Sequence, residues 1–166
     1  SGHDEDISYD DIVAQRLITK TEMKKLKSYS LNLFEYGTKH AETRGLILVD
    51  TKYEFGKRNN EIVLIDEIHT PDSSRYFYEN TYLENQKNKL PQRQLSKEFV
   101  RQWLISEGFQ GKDGQSIPKM SPEMIASISN RYIELFESIT GDKFEKRDYK
   151  NIEHTINNRI TNFLEL

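Results

Sequence analysis

Apolar residues recur at helical spacing in several parts of the chain and predict about five helices. The clearest of them opens with Ser121 and Pro122, a cap followed by proline at the first helical position, and closes at Gly141. Polar residues without periodicity separate the others, and residues 85–94 are expected to be a solvent-facing linker. The helices are expected at about residues 9–16, 20–44, 97–107, 122–140 and 149–163.

Two runs of β-forming residues lie between the second and third of these helices. The first run, residues 46–55, follows Gly45 and ends in a strict alternation of polar and apolar residues, and the second is residues 62–65. Residues 56–60 have the composition of a turn, so the two runs are predicted to pair as a hairpin. The turn could be two, three or five residues long, which leaves the register of the hairpin open.

The pattern as a whole predicts an α+β fold. A length of 166 residues fits one domain, and we expect residues 1–166 to form a helix-rich domain around a small antiparallel hairpin or sheet. Two strands alone make a poor sheet. Either helices cover the hairpin, or further polypeptide outside this sequence completes its sheet.

Charge and composition exclude several classes of protein. The net charge is −3 and the isoelectric point is about 5.9, which counts against a nonspecific nucleic-acid binder. No apolar run approaches the roughly 20 residues of a membrane span, and the polar start lacks the pattern of a secretory signal. The absence of cysteine excludes disulfides and thiolate metal sites and fits a reducing compartment. We therefore expect a cytoplasmic protein that binds neither nucleic acid nor membranes.

Charged side chains converge on the predicted hairpin. Asp50, Lys52 and Glu54 share one face of the first strand, and Asp66 directly follows the second. An acid at the end of a buried run must be paired or bound to a cation, because an isolated buried charge is costly. Carboxylates beside a lysine suit Mg²⁺ with a phosphate ligand. The alternative is an ordinary amphipathic strand with a solvated polar face.

Residues 71–75 break the strand pattern and are predicted to form a loop. Asp72, Ser73, Ser74 and Arg75 offer hydroxyl groups and a guanidinium group that suit a phosphate or a carboxylate. A salt-bridged turn with serine caps explains the same residues equally well.

Two stretches of the chain resemble the signature sequences of one enzyme family. Residues 46–56 (LILVDTKYEFG) and 64–75 (LIDEIHTPDSSR) are similar to those of phosphoribosylaminoimidazole-succinocarboxamide synthase, also called SAICAR synthetase. The resemblance extends over about residues 1–144. The family enzyme begins with a glycine-rich, ATP-binding β-sheet lobe that is absent here. The chain therefore looks like the C-terminal part of such an enzyme.

The resemblance implies a reaction and a set of partners. The family joins L-aspartate to carboxyaminoimidazole ribonucleotide and uses ATP and Mg²⁺. The carboxylate of the ribonucleotide is phosphorylated first, and the amine of aspartate then displaces phosphate. The missing N-terminal lobe would be a further partner, and the enzyme could be a homo-oligomer. Without that lobe we expect the chain to be inactive or nearly so.

The resemblance also implies roles for individual residues. Glu54 and Asp66 would hold Mg²⁺ near the ATP phosphates, and Lys52 would neutralise the reacting carboxylate or phosphate. Lys52 and Asp66 are thus the expected catalytic residues, and all three would contact the nucleotide cofactor. Asp50 is expected to fix the strand end, and His69 to be structural. The expected substrate-binding residues are Asp72, Ser73, Ser74, Arg75, His3 and Asp4.

Two other functions fit the same residues. One is a non-catalytic ribonucleotide-binding or regulatory module on the same scaffold, although the retained acidic cluster argues against it. The other is a kinase-like phosphotransferase with a different acceptor, which residues 72–75 disfavour.

Overall fold

The five helices expected from the sequence are present in the computed structural model, which describes residues 6–147 and 149–164. One further helix, α3, was not expected, and it takes up residues 85–87 of the predicted linker. Thr19 and Glu22 form a reciprocal capping box at the start of α2. Ser121 caps α5, and Gly141 ends it with a φ of 78°. The helices are α1 Tyr9–Ala14, α2 Lys20–Glu42, α3 Glu79–Lys87, α4 Glu98–Ser106, α5 Pro122–Thr140 and α6 Ile152–Leu164.

The predicted hairpin is only half right, because the first run of β-forming residues divides into two strands. Lys52 and Tyr53 separate β1 (Leu46–Thr51) from β2 (Glu54–Arg58). Strand β2 pairs with β3 (Glu61–Ile65) in an antiparallel two-stranded sheet. Strand β1 pairs instead with β4 (Ser74–Tyr78), which also pairs with β5 (Gln94–Leu95) in a second, three-stranded sheet.

The turn of the β2–β3 hairpin has two residues, which fixes the register that the sequence left open. Asn59 and Asn60 have φ angles of 50° and 63°. Positive φ at both central residues is the requirement of a type I′ turn, and asparagine tolerates it well. Glu54 consequently lies opposite Ile65.

Strand β4 begins inside the segment that was predicted to be a loop. Ser74 and Arg75 are its first two residues, so only the first part of the predicted loop is irregular. The register between β1 and β4 shifts between Leu48 and Asp50, as in a β-bulge. The buried side chains of β1 are Leu46 and Leu48, and Asp50 is exposed opposite Arg75. Ile47 and Val49, which alternate with them, are half-buried.

The buried core lies between α2, the three-stranded sheet and α5. It consists of Ala41, Leu46, Leu48, Tyr76, Leu95 and Leu135. The β2–β3 hairpin lies outside it, and Leu64 and Ile65 are 38% and 43% exposed. Phe55 packs against Tyr29 of α2, and Lys57 forms an ion pair with Glu22. Within the described residues, no helix is both long and apolar enough to cross a membrane.

Candidate active site

Hydrogen bonds join the end of β1 to the loop before β4. The Lys52 amide donates to the Ser73 carbonyl at 2.8 Å. One residue on, the Ser74 hydroxyl donates to the hydroxyl of Thr51 at 2.8 Å. Ser74 is only 5% exposed. These contacts bring the Lys52 segment and the loop together at the end of the sheet where β1 stops and β4 begins.

The loop is also bonded within itself. The Thr70 amide donates to the Ser73 hydroxyl at 3.1 Å, and the Ser73 amide donates to the Thr70 hydroxyl at 3.2 Å. The Ser74 amide donates to the Thr70 carbonyl at 2.9 Å. The serine caps that the sequence offered as an alternative are therefore present. They give the loop a fixed shape without excluding a ligand.

Asp72 receives a hydrogen bond from a helix that is distant in sequence. The hydroxyl of Tyr132 on α5 donates to Asp72 Oδ1 at 2.6 Å. Burial, followed by the hydrogen bond to Asp72, raises the pKa of Tyr132 to about 12, so the phenol keeps the proton that it donates. Sequence reasoning missed this residue, because no spacing along the chain connects α5 with the loop.

Arg75 and Asp50 face each other across the first and fourth strands. Arg75 Nε lies 3.4 Å from Asp50 Oδ2, and both side chains are well exposed. An exposed pair at this distance adds little stability. It does link the Arg75 side chain to the end of β1, where Asp50 was expected to fix the strand.

The remaining predicted residues lie at the open end of the β2–β3 hairpin. Lys52 Nζ is 2.7 Å from Glu54 Oε1. Asp66 follows β3 directly and has a φ of 62°. Both it and Glu67 are exposed, so the expectation that Asp66 lies at the end of a buried run is wrong. The cause is the position of the hairpin outside the core, which leaves the end of β3 in solvent.

The chemistry of these donors fits a magnesium ion that is bound together with phosphate. No group of three or more histidine, cysteine or acidic residues within 6–147 and 149–164 could hold a metal by itself. Mg²⁺ rarely needs such a group, since it keeps several waters and takes one or two carboxylates besides substrate phosphates. Glu54 and Asp66 supply that number.

A large cavity lies beside the charged groups rather than around them. Its volume is about 1140 Å³, and it is lined by α5 and by residues after that helix such as Phe144. Asp72 and Tyr132 line one part of it, but most of its wall is apolar, with Ile125 and Phe136 among the lining residues. The wall of this groove thus differs in character from the charged surface beside residues 72–75.

The model of the SAICAR synthetase family matches residues 1–116 of this chain. The chain belongs to the SAICAR synthetase family. The matched region contains β1 to β5 and every described residue of the site except Tyr132.

Curated members of the SAICAR synthetase family resemble nearly all of this chain. A phosphoribosylaminoimidazole-succinocarboxamide synthase from Bacteroides thetaiotaomicron is 60% identical over 162 residues, which are 98% of this chain and 52% of that protein. The namesake from Flavobacterium psychrophilum is 54% identical over 164 residues, again 98% of this chain and 52% of that protein. The chain spans about half the length of the curated relatives it matches.

Solved SAICAR synthetase structures have the same α+β fold. A SAICAR synthase from Saccharomyces cerevisiae in complex with SAICAR matches with a TM-score of 0.68 and 31% identity, over 86% of this chain and 46% of that one. A SAICAR synthetase in complex with ADP matches with a TM-score of 0.60 and 30% identity, over 87% of this chain and 48% of that one. The fold class expected from the sequence is thereby confirmed.

The structure brings most of the predicted SAICAR synthetase site residues to one surface, in two groups. Lys52, Glu54 and Asp66 lie at the open end of the hairpin. The second group lies in the adjoining loop and at the start of β4. It consists of Asp72, Ser73, Ser74 and Arg75. His3 and Asp4 lie outside the described residues.

Removing the hydroxyl of Tyr132 should loosen Asp72 without unfolding the chain. In Tyr132→Phe the carboxylate loses one charge-assisted hydrogen bond, so we expect weaker binding of whatever the loop holds, by roughly five- to tenfold. Calorimetric titration with carboxyaminoimidazole ribonucleotide, the substrate that the resemblance implies, measures the effect. Tyr149→Phe is the matched control, because Tyr149 lines the same groove with 60% of its side chain exposed. An unchanged affinity in Tyr132→Phe would mean that Asp72 does not need α5.

Proposed function

We propose that this chain is part of a cytoplasmic, ATP-dependent ligase of purine biosynthesis that joins L-aspartate to carboxyaminoimidazole ribonucleotide and gives SAICAR, ADP and phosphate. The observation that carries the proposal is the bond between the Lys52 amide and the Ser73 carbonyl, which places the acidic hairpin end beside the hydroxyl-rich loop. Membership of the family supports it, as do two structural relatives, one solved in complex with SAICAR and one in complex with ADP.

The proposed chemistry has two steps. An oxygen of the ribonucleotide carboxylate attacks the γ-phosphorus of ATP, the bond to ADP breaks, and an acyl phosphate forms. The aspartate amine then attacks the acyl carbon and loses a proton as phosphate leaves. Such transfers depend mainly on alignment and on neutralising charge. The chain offers exposed groups of both signs for this purpose.

The residues at the hairpin end would act on the phosphates. Glu54 and Asp66 would hold Mg²⁺, which would supply positive charge at the transferred phosphoryl group. Lys52, whose ammonium already lies 2.7 Å from Glu54, would add a second positive charge at the reacting carboxylate or phosphate. These three residues would therefore contact ATP.

The loop would hold the ribonucleotide. Asp72, Ser73 and Arg75 would contact the substrate, with Arg75 on its phosphate or carboxylate. Ser74 is buried and bonded to Thr51, so its part in binding would be to keep the loop in place. His3 and Asp4 would complete the substrate site.

The proposal assigns about half of an active site to this chain. Residues 1–166 would form one domain that carries the metal and substrate groups, since the curated relatives are about twice as long. The remainder of the nucleotide cleft would come from further polypeptide, and the chain alone would be inactive.

An activity assay tests both parts of the proposal. With ATP, Mg²⁺, L-aspartate and the ribonucleotide, the 166-residue chain should form no SAICAR, whereas the protein at its full natural length should form it. Omitting any one of the substrates should abolish the product. Product from the chain alone would contradict the half-site assignment. Tight ribonucleotide binding by the full-length protein without turnover would favour a non-catalytic module.

A further inference from the structure

The ring of His69 packs directly against the backbone of α2. A Cβ atom added at Gly37 would lie 2.6 Å from His69 Cε1 and 2.7 Å from Nε2, with a methyl group of Leu48 at 2.9 Å. Glycine inside a helix is destabilising relative to alanine, so its use there needs a reason. The close approach of the imidazole ring supplies that reason.

A second contact holds the same ring from the hairpin side. The Tyr53 hydroxyl and His69 Nε2 are joined by a hydrogen bond of 2.7 Å, and the two rings meet edge to face with centroids 5.6 Å apart. Burial, and the nearby His40, lower the pKa of His69. The imidazole is therefore neutral at pH 7, and one of its two nitrogens can accept a hydrogen bond such as the one from Tyr53.

The backbone of His69 is held as well. Its φ is 58°, a left-handed conformation that residues other than glycine rarely adopt. Its carbonyl accepts a hydrogen bond of 3.0 Å from the hydroxyl of Tyr76, which is 1% exposed. Burial raises the pKa of Tyr76 to about 12, so this donor keeps its proton. Contacts on three sides thus determine one conformation for His69.

These contacts form a second link between the hairpin end and the loop, where the first is the bond between the Lys52 amide and the Ser73 carbonyl. Tyr53 stands between Lys52 and Glu54, and His69 stands at the start of the loop that carries Asp72. In the part of the chain that the structure describes, the β2–β3 sheet pairs only with itself. Besides the bond between the Lys52 amide and the Ser73 carbonyl, the contact of Tyr53 with His69 helps to keep the acids in place relative to the loop.

We propose that Tyr53 and His69 are positioning residues. Their contact, called the brace below, fixes the hairpin end that carries Glu54 and Asp66 relative to the loop that carries Asp72. The catalytic part of this inference rests on the proposed ligase function, whereas the brace itself rests on the geometry alone. Without the brace each half of the site keeps all of its own groups, but their mutual alignment relaxes. Alignment contributes to the transition state more than to ground-state binding, so kcat should fall while KM changes little.

The first test is Tyr53→Phe in the protein at its full natural length. We expect kcat to fall about tenfold, with KM for ATP and for the ribonucleotide nearly unchanged and with a similar Tm. Tyr29→Phe is the matched control: its ring packs on Phe55 of the same hairpin, and its loss of a hydroxyl group should change nothing. If kcat in Tyr53→Phe equals that of the wild type, the inference is overturned.

Two variants of His69 separate the hydrogen bond from simple packing. His69→Gln keeps a polar group near Nε2 but loses the ring, whereas His69→Phe keeps a ring of similar shape and loses the bond. A brace predicts that Gln retains more of kcat than Phe does. The opposite order would assign the residue a packing role only and would overturn the inference.

A second measurement does not depend on the reaction. The chain has no cysteine, so spin labels can be attached at Glu61→Cys in β3 and Glu84→Cys in α3, both exposed positions. The distance distribution between the labels should broaden in Tyr53→Phe and not in Tyr29→Phe. An unchanged distribution would overturn the brace. If the wild type makes no SAICAR and the distribution still broadens, the proposed function fails and the brace stands.

Discussion

Replacing Asp66 by asparagine is expected to lower kcat about 1000-fold while leaving the fold intact. The substitution keeps the size of the side chain and removes the negative charge that would bind Mg²⁺, whose contribution to transition-state stabilisation is several kcal/mol, or roughly 10³ in rate. Asparagine also tolerates the positive φ of 62° at this position, which alanine does not. Because the side chain is exposed, Tm should change little. Steady-state kinetics and thermal unfolding of the protein at its full natural length measure the two quantities.

Two controls give this prediction its specificity. Glu61→Gln removes a carboxylate from the far end of the same strand, where it faces Arg58 across the turn, and should leave kcat unchanged. Raising the Mg²⁺ concentration should partly restore Asp66→Asn, because the other carboxylate, Glu54, remains. Full activity of Asp66→Asn at low Mg²⁺ would show that the metal assignment is wrong.

The helices were predictable from the sequence because their signals are local. A cap such as Ser121, a proline at the next position and a glycine such as Gly141 act within one turn of the helix they delimit. Helix α3 was missed because it lacks such local signals. Most of its residues are polar, and no side chain caps its first residue, Glu79.

Strand pairing was only partly predictable, because a strand looks the same whichever partner it has. The alternation in β1 is compatible with pairing to β3 or to β4, and Lys52 and Tyr53, where the run breaks, are neither glycine nor proline. The bulge after Leu48 changed which side chains face the core. The apolar run of β3 indicated burial, yet its end is exposed, since the two-stranded sheet lies outside the core.

The site was predictable to the extent that it depends on order along the chain. The two signature stretches contain Lys52, Glu54, Asp66 and the loop, and the resemblance supplied roles that spacing alone could not. Contacts between distant segments were beyond that reasoning. Neither the bond between Tyr132 and Asp72 nor the contact of His69 with Gly37 leaves a pattern in the sequence.

Truncating Leu135 should be the most destabilising single change in α5. Leu135 is the one described residue of this helix that is fully buried, and its side chain completes the core formed with Leu46, Leu48 and Tyr76. A buried Leu→Ala change loses the transfer free energy of three carbon atoms and leaves a cavity, together about 2–5 kcal/mol. The free energy of unfolding of a small domain is only about 5–15 kcal/mol.

The destabilisation should reach the site, because Leu135 anchors the helix that carries Tyr132. We therefore expect Leu135→Ala to lower the free energy of unfolding in urea by about 2–5 kcal/mol and to weaken ribonucleotide binding as Asp72 loses its partner. Ile125→Ala is the matched control: it truncates an aliphatic side chain of the same helix that is 53% exposed, and the change should stay near 0.5 kcal/mol. Equal losses in the two variants would mean that α5 is not held by Leu135. A large loss in Leu135→Ala with unchanged binding would instead separate the stability of α5 from the geometry of the loop.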